Sequence, residues 1–331
     1  MRGASPRLRG GMGQVQRSCV RASSWRERGR PSHSWQEPID WLRSAWSVIA
    51  RWTAAGQATP VKGATVPVLE RSDTARISWE ANGPDDGQAV LLIMGLAYPA
   101  AMWFRLMPAL TERYRVIRVD NRGAGHTGDV PGAPYTVETM AADCLAVLDA
   151  ADVRTAHVVG ISMGGLMAQE IALTAPERVR SLCLLATHPG IAHAVMNPEA
   201  MAILGKRGEL TPQEAAEASV PFNYAPSTPR RRIEEDWAVR LPLAATNEGY
   251  LAQASGTSQW DGYDRLDRIT APTLVVHGEL DALVPPANGR ILADRIPGAE
   301  LVTVPLANHL LGTDQPEQVS ELLVNWLDRQ R

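Results

Sequence analysis

Gly160-Ile161-Ser162-Met163-Gly164 follows the largely apolar run Thr155–Ile161 and opens a segment of helical character, so the pentapeptide occupies a strand-to-helix corner. Gly-x-Ser-x-Gly in that setting reads as a nucleophile elbow. A turn this sharp excludes larger side chains from its flanks. It also forces the serine into a strained conformation with its hydroxyl exposed. Gly165 extends the small-residue run and lets the helix pack closely on the sheet.

Outward from this corner the chain alternates strands and helices. Ala89–Met94 is short, apolar and stopped by Gly95, as expected of a strand buried on both faces. Arg115–Asp120 and Val179–Ala186 are further candidates. Val137, Met140, Cys144, Val147 and Leu148 mark an amphipathic helix with Thr136 as N-cap and a Tyr135/Met140 staple. After His188 the alternation stops, and residues 189–268 read as several short helices rich in Ala, Glu, Arg and Pro. It resumes with the strand Thr273–His277, a helix near Pro286–Arg295, the strand Glu300–Val304 and a last helix from about Gln315 to Leu327. That helix is expected to open on an Asp314/Glu317 capping box and to bury Val319, Leu322, Leu323 and Trp326. The fold class is therefore α/β: a mostly parallel, doubly wound sheet built from 65–188 and 269–331, with a helical cap over 189–268.

The first 64 residues differ in kind. Residues 1–33 carry eight arginines against the acid Glu27 and cannot bury enough apolar surface to fold alone, so they read as a disordered leader, an early start codon or a targeting segment. Within 34–64, Trp35, Ile39, Leu42, Trp46 and Ile49 recur every three or four residues, which predicts an amphipathic helix over about 35–53. This stripe packs on the main domain, covers the active site as a lid, or forms a homodimer contact.

With 331 residues and a formal charge of −3, the chain has no basic field that would point to nucleic acid or an anionic membrane. Cys19, Cys144 and Cys183 form neither a disulfide framework nor a metal-binding pattern, which fits a reducing cytoplasm. No run approaches the roughly 18 apolar residues of a membrane span.

A serine hydroxyl is a poor nucleophile near neutral pH and needs a base oriented by a carboxylate. In the chain order Ser, acid, His, only His309 follows the best acid, because His33, His126, His157, His188, His193 and His277 all precede it. Asp281 lies in His277-Gly278-Glu279-Leu280-Asp281, just after a strand, with Glu279 as its rival. Two backbone amides, those of Leu96 and Met163, are the candidate oxyanion donors. By position, Gly95, Tyr98, His188 and Trp260 are candidate substrate contacts. Met196, Met201, Phe222, Tyr224, Trp237 and Tyr250 either line an apolar pocket or form the cap's own core.

These residues resemble the α/β-hydrolase superfamily over about residues 65–329, in the branch of carboxylesterases, enol-lactonases and cofactor-free haloperoxidases. Asp120-Asn121-Arg122-Gly123-Ala124-Gly125-His126 is similar to the family's Asp-x-Arg-Gly-x-Gly-x-Ser turn, and His277-Gly278-x-x-Asp281 to its acid loop. Met94 stands where the family often has histidine, and His126 where serine is common. Because the nucleophile is serine, the family's dehalogenase and epoxide hydrolase routes, which need a carboxylate, are disfavoured. The resemblance implies hydrolysis of a small ester or lactone through an acyl-enzyme, with no metal or organic cofactor required. Thioester, C–C and perhydrolase chemistry on the same triad are the alternatives within catalysis. A ligand-binding protein that kept the fold without turnover is the alternative outside it.

Overall fold

The computed structural model describes residues 67–132 and 135–331. The leader over 1–33 and the Trp-rich helix and linker over 34–64, with the dimer contact expected of that helix, lie outside the described residues.

Eight strands form one sheet: β1 (Val68–Glu70), β2 (Arg76–Asn82), β3 (Gln88–Ile93), β4 (Tyr114–Val119), β5 (Ala156–Ile161), β6 (Val179–Leu185), β7 (Thr273–Gly278) and β8 (Glu300–Val304). Their order is β1-β2-β4-β3-β5-β6-β7-β8. Pairings β1/β2 and β2/β4 are antiparallel, and every other neighbour is parallel. The apolar runs expected to be strands became β3 to β8. The antiparallel pair β1/β2 was not anticipated, because apolar residues alternate only at Ile77, Trp79 and Ala81, too briefly to stand out.

The α-helices are α1 (Met107–Thr111), α2 (Val137–Ala150), α3 (Met163–Thr174), α4 (Pro198–Lys206), α5 (Pro212–Ala218), α6 (Val220–Asn223), α7 (Arg230–Arg240), α8 (Asn247–Gln259), α9 (Ala287–Arg295), α10 (Leu311–Asp314) and α11 (Pro316–Arg329). Strand alternation divides the core between the two faces of the sheet. Leu91 and Ile93 of β3 pack with α2, α3 and α9. Their neighbours Val90 and Leu92 pack on the opposite face with α1 and α11. Helices α4 to α8 form an insertion between β6 and β7. Among the described residues no helix is long and apolar enough to cross a membrane.

One expected cap is corrected. Helix α11 begins at Pro316, its N-cap Gln315 makes no side-chain capping bond, and Asp314 belongs to the preceding turn α10. The Asp314 carboxylate instead accepts hydrogen bonds from the backbone N–H of Asn308 (2.6 Å) and Ala225 (3.1 Å) and from the Thr228 hydroxyl. Buried amides of the loop before His309 leave that carboxylate no freedom to cap a helix.

The sheet order fixes where a ligand can bind. β3 pairs with β4 on one side and β5 on the other, so successive connections from it depart in opposite directions. Such a switch point opens a crevice at the carboxyl ends of the two strands. Gly95 follows β3 and Ser162 follows β5.

Candidate active site

The backbone turns abruptly where the sheet ends. Ala97 after β3 (φ 62°), Ser162 after β5 (55°), Ala186 after β6 (45°) and Leu306 after β8 (56°) all adopt the left-handed region that non-glycine residues avoid. Strain gathered on one edge of a sheet is characteristic of a functional edge.

Ser162, at φ 55° and ψ −122°, joins β5 directly to α3. Its N–H donates to Leu185 O (2.9 Å), and its carbonyl accepts from the Thr187 hydroxyl (2.7 Å). The glycines around it are demanded by contact. A Cβ on Gly160 would lie 2.2 Å from Gly164 O, one on Gly164 2.2 Å from Ile93 O, and one on Gly165 2.5 Å from Thr187 Cβ. A Cβ on Gly95 would lie 3.1 Å from Ser162 Cβ, so the loop after β3 runs against the serine side chain itself.

The expected acid and base meet. His309 Nδ1 lies 3.1 Å from Asp281 Oδ2, and both residues are buried. The other Asp281 oxygen accepts from the backbone N–H of Leu283 (3.0 Å) and Val284 (2.8 Å), which fixes the carboxylate's direction. Glu279, the rival, is exposed and accepts from Leu306 N–H at 3.3 Å. Asn308, unremarked in the sequence, binds the loops together. Its side-chain oxygen accepts from Ala282 N–H (2.8 Å) and His309 N–H (2.9 Å), and its amide donates to Tyr224 O (2.9 Å) and Pro221 O (3.1 Å).

A cavity of about 400 Å³ brings most of the expected residues together. Its lining includes Ser162, His309, Gly95, Leu96, Met163, Tyr98 and His188. That volume is within the range of small-molecule sites. Met196, Met201, Phe222 and Tyr250 also line it, whereas Tyr224 and Trp237 are core residues. Trp260 is not brought to the cavity: it packs with Leu266 and Ile269 against the sheet, and its indole N–H donates to Glu170 Oε2 at 2.9 Å. His188 Nδ1 accepts from Gly190 N–H (3.1 Å), which leaves the ring proton on Nε2, and burial pushes the imidazole pKa down to about 4.

The loop carrying Leu96 is held from two directions. Asn121 donates its side-chain amide to Met94 O (3.0 Å), and Tyr98 N–H closes a turn on Gly95 O (3.2 Å). From α8, the fully buried Gln253 accepts from Ala97 N–H (2.7 Å) and donates to Arg122 O (2.5 Å). The Asp120–His126 turn also has a structural task. The Asp120 carboxylate accepts from the backbone N–H of Ala100 (2.7 Å) and His126 (2.8 Å), and Arg122 is paired with Asp143 and Asp73.

A family model described as the alpha/beta hydrolase fold matches residues 88–316. This chain belongs to the α/β-hydrolase family. A protein of Azorhizobium caulinodans named a carbamate hydrolase, RutD, is 32% identical over 76% of this chain and 95% of its own length. A protein of Mycobacterium tuberculosis named a non-heme bromoperoxidase, BpoC, is 31% identical over 76% of this α/β hydrolase and 97% of its own length. A solved thermophilic esterase from Thermogutta terrifontis superposes with a TM-score of 0.70 at 29% identity, covering 81% of this chain and 99% of that one.

Proposed function

We propose that this α/β hydrolase cleaves a carboxylic ester or lactone through an acyl-enzyme on Ser162. One observation carries the reading: a serine in left-handed strain borders the same cavity as His309, whose Nδ1 is paired with the buried Asp281. In this mechanism Ser162 Oγ attacks the acyl carbon while His309 accepts its proton, and Asp281 holds the imidazole tautomer and stabilises the imidazolium. The backbone N–H groups of Leu96 and Met163 receive the oxyanion. Collapse of the tetrahedral intermediate expels the alkoxide, protonated by His309, and a water deprotonated by His309 then releases the acid. Residues 189–268 serve as the cap that closes the acyl site.

The esterase among the solved relatives supports the bond class. The carbamate hydrolase and bromoperoxidase names belong to other relatives and name different reactions, so substrate assignment rests on this chain's own cavity.

A fluorophosphonate probe is expected to label Ser162 stoichiometrically in the folded protein. Ser162→Ala should bind ester yet lose about 10⁴-fold or more in kcat. Absence of labelling, or near wild-type turnover in the variant, would remove Ser162 as the nucleophile.

A further inference from the structure

The cavity's charge is one-sided. Among the described residues that line it are two arginines, Arg207 and Arg240, and no aspartate or glutamate. Most of the remaining lining is apolar, including Met196, Leu204 and Leu241. Several other sheltered arginines are neutralised by carboxylates. Arg105 pairs with Asp236 (2.9 Å) and Glu235 (3.2 Å), Arg122 with Asp143 (2.5 Å) and Asp73 (2.6 Å), and Arg118 with Glu80. Among the described residues, no carboxylate lies within 4.0 Å of Arg240 or Arg207.

Asp236, one turn earlier on α7, would be Arg240's natural partner. Its carboxylate is instead occupied by Arg105 and by the Thr313 hydroxyl (2.7 Å). Arg240 donates one Nη1 bond to the Tyr98 hydroxyl, and its guanidinium lies 4.8 Å from the centre of the Tyr98 ring. Its Nε is shut off from solvent with no partner. Tyr98 is also fixed by the Asn223 amide (3.0 Å), so the guanidinium is anchored to the loop that carries Leu96. Arg207 lies 5.5 Å from the centre of the Tyr250 ring and makes one long bond to Asn247 (3.4 Å). Burial lowers its pKa, and the charge of Arg240 lowers it further.

Sheltered cations in a protein are ordinarily paired, and a guanidinium offers a planar fork matched to carboxylate oxygens. Among the described residues this pair has no carboxylate partner, which leaves what fills the cavity to supply one. We infer that the substrate is anionic: an ester or lactone whose apolar body carries a free carboxylate, received by Arg240 with Arg207 beside it. This inference rests on the assignment of Ser162 as nucleophile for its reaction, although the anion site itself stands on the arginines alone.

The test uses the 4-nitrophenyl monoesters of succinate, glutarate, adipate and suberate, each against the isostere in which a primary amide replaces the free carboxylate. For at least one chain length, wild-type kcat/KM should favour the anion by about tenfold or more. Arg240→Met should bring that ratio close to one, and Arg240→Lys should restore part of it. Thermal unfolding of each variant checks that it is folded. A role confined to anchoring Tyr98 would lower activity on both members of a pair equally. Equal wild-type rates at every length, or a preference unchanged in both Arg240→Met and Arg207→Met, would overturn the inference. Binding to Ser162→Ala, read by calorimetry with the same pairs, separates the two proposals. Preferential binding of the anion without fluorophosphonate labelling of wild type would retain the anion site and reject the hydrolase reading. Labelling with no anion preference in rate or binding would do the reverse.

Discussion

The two sides of the cavity are built by different means. On the sheet side, Ser162, Leu96 and Met163 sit where the chain leaves β3 and β5, held by backbone strain and by glycines at which a Cβ would come within 2.2–3.1 Å of a neighbour. On the insertion side, Arg240 and Gln253 come from α7 and α8 and reach the sheet through side-chain bonds to residues 142 and 156 positions away. The sheet side is thus a local geometry repeated at several strand ends. The insertion side is a set of single contacts, each dependent on a distant partner. A turn of the first kind can vary in its non-glycine residues and persist, whereas one substitution can remove a contact of the second kind.

This contrast extends to acid. Besides His309, three histidines on or just beyond the sheet are buried: His157 on β5, His277 on β7 and His188 after β6. Burial lowers the pKa of each to about 4 from an ordinary 6.5. With folded values below unfolded ones, the unfolded chain binds more protons between those limits. Stability is therefore full above about pH 6.5 and falls as the pH drops toward about 4, by several kcal/mol for the three together. Urea unfolding from about pH 7 to about pH 4.5 should show this loss. His277, whose two ring nitrogens have no partner, can be replaced by Leu to reduce the dependence. An unchanged pH slope in His277→Leu would mean that the buried imidazole is not the source.

The same contrast explains what could be read from sequence. Gly160, Gly164 and Gly165 bracket Ser162 because the corner admits no Cβ, and that requirement leaves a spaced pattern in the chain. That Asp281 and His309 would meet was legible because they follow strands in a fixed order. Arg240 was not, since nothing in Arg230–Arg240 distinguishes a guanidinium facing a cavity from those facing solvent. Gln253 lacked even a helical stripe to mark its face of α8. Asp314 misled by spacing: with Glu317 it imitates a capping box, while its carboxylate serves amides at positions 225 and 308. Trp260 misled by size, being large enough for a pocket yet buried in the core with its indole N–H bonded to Glu170.

Gln253 offers the sharpest test of the division. Gln253→Leu preserves bulk but leaves the Ala97 N–H and the Arg122 carbonyl without their partner, at a cost of about 1–3 kcal/mol for a buried group. Because Ala97 adjoins Leu96, the loss should appear mainly in kcat, by about 10- to 100-fold if the strain falls on the reacting geometry. KM for a neutral ester should change less. A stability loss with full kcat would show that the sheet-side loop keeps its shape without the insertion.

The smallest effect is expected at the start of the helix that carries Gln253. Thr246 caps α8 by accepting from Gly249 N–H (2.9 Å) and donates its hydroxyl to Asp129 (2.8 Å), an acid in the segment after β4. Thr246→Ala removes both bonds, and loss of such an N-cap costs about 1 kcal/mol. Gln253 lies nearly two turns farther along α8, and its own bonds to Ala97 and Arg122 resist displacement. Thermal unfolding should therefore register the change, while kcat/KM falls by no more than a few-fold. A loss in kcat/KM as large as that of Gln253→Leu would contradict the picture of independent single contacts, because it would mean that α8 moves as a rigid unit and carries the loop with it.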